Sequence, residues 1–331
     1  MACRADSSSN GRDTPGGVVG SIVCEGGEVT IVPPAPGEPR RPSGPRDPGD
    51  AWVVAPDGTQ YWGRFGAAGL LALDPARGTR GSVLLQHRVS WSHHGDTWAL
   101  PGGARHQGES ACDGALRESA EEAGVPADAV IPRLISVFDV GIWTYSTVVA
   151  DVTTPFKAVI SDPESRELSW VPVESVTEYP LHPGFASSWR TLLPLLDVRP
   201  VIVVDAANVV GSVPDGWWKD RAGAASTLLT RLAALAGDGV DGEVLGLPED
   251  RWYPEIVAVL EGAARDAADV EGVTIVRADA HGDDAIVEQV EHLAAAGRRI
   301  TAVTSDRGLA ARVMEVPGAM VEPVSWLRAL R

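Results

Sequence analysis

The segment from Gly102 to Val125 constrains this chain more than any other. It reads Gly102-Gly103-Ala104-Arg105-His106-Gln107-Gly108-Glu109, continues through Ser110–Leu116, and ends Arg117-Glu118-Ser119-Ala120-Glu121-Glu122-Ala123-Gly124-Val125. The pattern predicts a helix from about Glu109 to Ala123. Gly124 stops it, because glycine takes the left-handed conformation of a helix C-terminus at little cost. On that helix Glu118, Glu121 and Glu122 stand at i, i+3 and i+4, within an arc of about 100°. Three like charges there repel, each pair by roughly 0.2–0.5 kcal/mol. A hard divalent cation with oxygen ligands relieves that repulsion. A solvated acidic helix face is the alternative, and the triplet alone favours it. The glycines before the helix permit tight turns, and one of their carbonyls can reach the same ion.

The wider spacing changes the balance. The segment resembles the Nudix box, G-x5-E-x7-R-E-U-x-E-E-x-G-U with U a bulky aliphatic residue. Gly103, Glu109, Arg117, Glu118, Glu121, Glu122, Gly124 and Val125 match it. Seven of these are fixed identities, and at about one in fifteen each a chance match is on the order of 10⁻⁸ per starting position. Ser119 departs from the pattern, which has an aliphatic residue there. That position packs the helix, so the departure touches packing and not the acids. Trp98-Ala99-Leu100-Pro101-Gly102-Gly103 looks like the family's lead-in, Val83–Arg88 like its preceding strand, and Leu168–Pro172 like its closing strand. The resemblance covers about residues 55–195.

The resemblance implies an α/β/α sandwich with a mixed sheet. It implies Mg²⁺ or Mn²⁺ held by Glu118, Glu121 and Glu122, with help from the Gly103 carbonyl. Glu118 would also act as, or orient, the general base, and Arg117 would pair with Glu109. The family cleaves nucleoside diphosphates linked to another group. Bound metal neutralises the pyrophosphate and activates water. The family's general base varies in position, which leaves Glu164 and Glu167 as candidates; loop acids before a strand are the equal alternative.

The 331 residues favour two domains. Residues 1–50 are rich in Gly, Pro, Ser and Arg and read as a disordered tail, with a possible short strand at Glu28–Val32. Residues 51–197 read as the Nudix-like domain. Strands are expected at Ala67–Asp74, Val83–Arg88, Leu134–Val140, Ser146–Asp151 and Glu167–Pro172, and a second helix near Gly184–Leu196. The net charge of −17 disfavours a long nucleic-acid track. The cysteines Cys3, Cys24 and Cys112 lack metal or disulfide spacing. No apolar run is long enough to span a membrane, and the N-terminus lacks a signal-peptide core. These features point to a cytoplasmic protein, and the Nudix resemblance implies a nucleotide-derived small-molecule substrate.

Residues 198–331 restart with Val201-Ile202-Val203-Val204, an apolar run typical of a strand buried on both faces. Alternating strands (Glu255–Leu260, Val273–Val276, Ile300–Thr304) and helices (Ala222–Ala236, Asp283–Ala296, Arg307–Val313) predict a parallel sheet. Asp205, Glu261 and Asp306 end strands, Asn208 follows Asp205, and Asp283-Asp284 opens a helix. Ligands of such sheets bind at the carboxyl ends of strands, while helix capping explains Asp283 and Asp306 equally simply. The arrangement resembles the PIN-like nuclease fold, including its NYN branch. There Asp205, Asp283 and Asp306 would bind metal, Asn208 would accompany them, and Glu261 and Asp284 are further candidates. RNA becomes a possible partner at this domain, with Trp217, Trp218, Lys219 and Arg221 as stacking and phosphate contacts or as a packed loop.

Substrate choice is expected from the loop Ser90–Trp98. Trp91 is a candidate for stacking on a base, and His93 and His94 for touching phosphate or ribose. Trp98 reads as a buried anchor. Two histidines make a metal site only with more ligands at sensible spacing, and His182, in Leu181-His182-Pro183-Gly184-Phe185, is at least as well explained by the start of a helix.

Overall fold

The structure is a computed structural model and describes residues 20–24, 27–34, 47–213 and 217–330. It divides into two compact units, Met1–Leu193 and Pro194–Arg331.

In the first unit, strands β1 (Gly20–Cys24), β2 (Gly27–Val32), β3 (Trp52–Val54) and β4 (Gln60–Trp62) form an antiparallel sheet in sequence order. Val29, Ile31, Ala51 and Val53 make its small core, against which Tyr61, Ile142 and Trp143 pack. Two stretches of the segment expected as a tail are therefore strands, because β3 supplies a partner and an apolar face for β2. The remainder of that expectation, residues 1–19, 25–26 and 35–46, lies outside the described residues.

The main sheet of this unit is mixed. It contains β5 (Ala67–Asp74), β6 (Ser82–Arg88), β7 (Trp98–Ala99), β8 (Gly102–Ala104), β9 (Val130–Asp139), β10 (Thr144–Val152) and β11 (Ser165–Pro172). Its strands run β11-β6-β5-β10-β9, with β7 on β6 and β8 on β5. β5 and β10 pair in parallel, Leu70 opposite Val148, while the other pairs are antiparallel. All eight residues of β5 are buried, as a strand covered on both faces requires. Helix α1 (Ala111–Ala123) packs on β5, β8 and β10. Helix α2 (Pro183–Leu195) buries Phe185, Trp189, Leu192 and Leu195.

Helix α1 starts two residues later than its sequence pattern predicts. Ser110 is the cap, and its hydroxyl accepts the Asp113 N–H at 3.1 Å. Glu109 thus belongs to the preceding loop. At the other end Gly124 sits at φ 64°, and its N–H bonds to the Ala120 carbonyl. Ser119 is fully buried and donates to the Leu116 carbonyl at 3.0 Å, which satisfies its hydroxyl where an aliphatic residue was expected.

The second unit has a five-stranded sheet, entirely parallel. It is built of β12 (Pro200–Asp205), β15 (Glu255–Leu260), β16 (Thr274–Arg277), β17 (Arg299–Val303) and β18 (Ala319–Glu322) in the order β16-β15-β12-β17-β18. A short hairpin joins β13 (Val240–Asp241) to β14 (Arg251–Trp252). Five helices accompany these strands among the described residues: α3 (Ala206–Gly211), α4 (Arg221–Asp238), α5 (Gly282–Ala295), α6 (Arg307–Met314) and α7 (Val324–Ala329). Helix α3 is not legible in the sequence, because its six residues are too few for periodicity to register. The strand order reverses direction at β12. That places a crevice at its carboxyl end, where Asp205 stands.

Candidate active site

β8 and α1 build the site in the first unit. β8 pairs with β5, Gly103 opposite Ala68, and the chain then loops through Glu109 into α1. Spacing of i and i+4 turns Glu118 and Glu122 onto the face of α1 that packs on this strand pair, where they are only 5% and 7% exposed. Glu121 lies at the edge of that face, its side chain 51% exposed. The structure therefore separates the three acids into a buried pair and an outward third.

Gly103 makes room for the pair. A Cβ there would lie 2.7 Å from the Glu118 carboxyl carbon, closer than real side chains approach. One residue earlier, the Gly102 N–H donates to a Glu122 carboxylate oxygen at 2.9 Å. The glycines thus serve the acids by close backbone approach.

Arg117 organises the rest. Its Nε and Nη2 donate to the two Glu109 oxygens at 2.8 and 2.9 Å, its Nη1 to Glu118 at 2.7 Å, and Nη2 also to the Ala104 carbonyl at 2.9 Å. The expected Arg117–Glu109 pair is present, but the loop delivers Glu109 to it, since Glu109 is not helical. The Arg117 bonds hold the Glu109 carboxyl down at about 2, with further help from the His106 N–H against the opposing effect of burial. Burial alone would lower Arg117, but its bonds to Glu109 and Glu118 outweigh that and keep it more firmly protonated than usual. Glu122 goes the other way. Burial first, and the Glu118 charge second, push it up to about 8.

These are the features of an oxygen site short of positive charge. Two nearly buried carboxylates adjoin, and the nearest strong ion pair serves Glu118 and Glu109, not Glu122. A hard divalent cation fits that donor set. Glu164 adds negative charge that raises Glu122 and sits 4.0 Å from Arg88, whereas Glu167 is exposed on β11. The structure thus links one of the two candidate bases to the buried acids. Burial, followed by Glu122, also raises the Tyr145 hydroxyl above its ordinary value, so it stays a neutral donor.

Trp98 is buried and stacks on His87, 4.8 Å between ring centres, so it is the anchor its position suggested. Trp91 is 51% exposed. His93 and His94 lie on the exposed loop with ring centres 4.2 Å apart, and His182 lies 4.7 Å from His94. Among the described residues these three alone bring three metal-ligand atoms within 4.8 Å of one another. Burial first, then the neighbouring histidines and Arg88, depress His182 to about 4 and lower His93 as well. Sequence spacing missed His182 as a companion of the pair because 88 positions separate it from His94. The Trp98–Leu181 bridge is a tertiary event.

In the second unit, Asp205, Asn208, Glu261, Asp283 and Asp306 line one cavity of about 480 Å³. Asp205 accepts the Thr304 hydroxyl at 2.8 Å and the Asn208 N–H at 3.0 Å, and Asn208 accepts the Ser305 N–H at 2.9 Å. Burial first, and the charges of Asp283 and Glu261 after its hydrogen bonds, leave Asp205 raised. Asp306 caps α6, accepting from Gly308 and Leu309 N–H. Asp283 does not cap α5; His281 holds that position, and Asp283 lies in the first turn. Asp284 pairs with Arg312 at 2.7 Å and does not line the cavity. Trp217 lies beneath Arg221, Trp218 is 57% exposed, and Lys219 ends the same short turn.

Known proteins resemble the first unit. The NUDIX domain family matches residues 64–193. A Mycobacterium tuberculosis relative named "Putative 8-oxo-dGTP diphosphatase 3" is 48% identical over 153 residues, which cover 44% of this chain and 70% of that protein. A Bifidobacterium longum "Nucleoside triphosphate pyrophosphatase/Nudix hydrolase fusion protein" is 39% identical over 45% of this chain and 32% of its own length. The crystal structure of RenU, a Nudix hydrolase from M. smegmatis, is 46% identical with a TM-score of 0.42, covering 44% of this chain and 94% of that one. Enzymes of this family generally use divalent metals such as Mg²⁺ or Mn²⁺. Among the described residues no helix is long and apolar enough to cross a membrane. The chain belongs to the Nudix hydrolase family and is a pyrophosphohydrolase through its residues 64–193.

Proposed function

We infer that the first unit hydrolyses a phosphoanhydride bond of a nucleoside-diphosphate-linked substrate with Mg²⁺ or Mn²⁺. A nucleoside triphosphate is the first substrate to test, since the 48% identical relative is named for one. The carrying observation is the buried Glu118–Glu122 pair set against Gly102 and Gly103. Glu118 and Glu122 would hold the ion, with Glu121 turning in from solvent and the Gly103 carbonyl as a further oxygen. When bound, it supplies the positive charge that pyrophosphate oxygens need for attack by water.

The chain's own groups supply the rest. Arg117 holds Glu118 and the Glu109 loop in place, so the acids are ordered before substrate arrives. Attack forms a new P–O bond from water and breaks the anhydride P–O bond. The water proton passes to a carboxylate, for which Glu164 is the candidate coupled to Glu122. Glu122→Gln keeps the side chain's shape and removes its charge. Release of nucleoside monophosphate in Mg²⁺ should fall by about a hundredfold or more; unchanged turnover would sink the assignment.

A second reading gives the C-terminal unit a metal-dependent phosphodiester-cleaving centre of the PIN-like, NYN kind, with RNA as its partner and the Nudix domain as a nucleotide sensor. The cavity at the carboxyl end of β12, lined by Asp205, Asn208, Glu261, Asp283 and Asp306, favours it. An RNA panel incubated with Mn²⁺ tests this. Intact RNA beside an active pyrophosphohydrolase would remove it.

A further inference from the structure

We propose that His93, His94 and His182 form a transition-metal site of the Zn²⁺ class, separate from the carboxylate site. Their ligand nitrogens lie within 4.8 Å of one another. A tetrahedral ion with Zn–N bonds of about 2.0–2.1 Å needs nitrogens about 3.3 Å apart. The required contraction is therefore about an ångström and a half at most, and two of the three ligands are on an exposed loop.

The loop is already folded for the purpose. Its ends are tied by Arg88 N–H to the Thr97 carbonyl at 2.9 Å and Asp96 N–H to the Arg88 carbonyl at 3.1 Å. His94 at φ 53° and Asp96 at φ 58° reverse the chain sharply, and this holds the rings of His93 and His94 together. Trp52 packs edge-on against His93 at 5.8 Å. The third ligand comes from a rigid place. The His182 N–H donates to the Trp98 carbonyl at 2.8 Å, and the Trp98 N–H donates to the Pro180 carbonyl at 2.8 Å.

The donor chemistry selects the ion. Three imidazoles and no carboxylate favour Zn²⁺ and its neighbours over Mg²⁺. A neutral imidazole has one lone pair. At His182 it accepts the Gly184 N–H through Nδ1 at 3.1 Å, and that bond is exposed, so water takes over the N–H when the ion binds. Arg88 is the nearby positive charge to be tolerated. An anionic oxygen in the open fourth position offsets it.

The test uses the full chain, stripped of metal and held in excess Mg²⁺ so that the oxygen sites are filled. Titration with Zn²⁺ should show one tight site per chain, and X-ray absorption should show imidazole scattering around the ion. His94→Gln, an exposed change that leaves thermal melting in Mg²⁺ unaltered, and His182→Gln should each weaken Zn²⁺ by about tenfold or more, while Glu122→Gln retains it. An oxygen-only shell, or equal Zn²⁺ affinity in wild type and His94→Gln, overturns the site. The Glu122→Gln arm separates failure here from failure of the pyrophosphohydrolase reading.

Discussion

Arg117 grips Glu109 through two parallel bonds, at 2.8 and 2.9 Å, across a helix start that lies between them. The pair fastens the glycine loop to α1, and Glu118 hangs from the same guanidinium at 2.7 Å. Positioning of the carboxylates therefore depends on a residue that is not itself a proposed ligand. Glu109→Ala removes both of the parallel bonds but leaves Arg117 paired with Glu118 and the Ala104 carbonyl, so it should cost about 1.5–3 kcal/mol in chemical denaturation. Turnover should fall with it.

The same pair sets an acid limb. Glu109 falls from its ordinary 4.5 to about 2 on folding, so its stabilisation is complete above about 4.5 and is lost as the pH drops toward 2. The stability gap between wild type and Glu109→Gln should narrow over that interval. A gap that stays constant from pH 5 to pH 2 would contradict the pairing.

Gly103→Ala forces the Glu118 carboxylate away, because the added Cβ would sit 2.7 Å from its carboxyl carbon. The obstacle is the end of a side chain, so the fold should survive. Metal affinity and turnover should drop by about tenfold or more, with the melting temperature little changed. Isothermal titration with Mn²⁺ and a thermal melt read the two effects separately.

Ser119→Ala should be neutral or slightly stabilising, within about 1 kcal/mol. It removes the 3.0 Å bond to the Leu116 carbonyl and substitutes a better helix former. A loss of several kcal/mol in urea unfolding would show that the hydroxyl matters to packing in a way the geometry does not contain.

Two acids of the second unit should part company. Asp306→Ala removes an N-cap and should cost about 1 kcal/mol. Asp205 is raised by burial and neighbouring acids, so its contribution is full at low pH and is lost as the pH rises through its elevated folded value. Asp205→Asn should therefore gain on wild type as the pH rises in metal-free buffer. Paired urea titrations across the carboxylate range and above it check both.

Much was legible in advance. Helical arithmetic brought Glu118 and Glu122 to one face, the apolar run of β12 announced a strand covered on both sides, and β5 was expected as a strand at Ala67–Asp74. These are local patterns, set by 3.6 residues per helical turn and two per strand repeat. What escaped was whatever depended on a distant partner. Strand β1 was not legible, and β2, expected only as a possible short strand at Glu28–Val32, needed β3 to bury Val29 and Ile31. Glu109 reached Arg117 from a loop, and Glu121 faced solvent because only part of the acidic arc fits against β8.

The order of residues along the chain was enough to place the first unit in its family, because the glycine, arginine and carboxylate identities from Gly103 to Val125 stand at the spacing of the Nudix box. The tertiary structure decided which of those acids are buried, and so which carry shifted proton affinities, since desolvation depends on what packs above them. It also decided that His182 meets His93 and His94. No local periodicity connects positions that far apart; the pairing of Trp98 with the segment before α2 does.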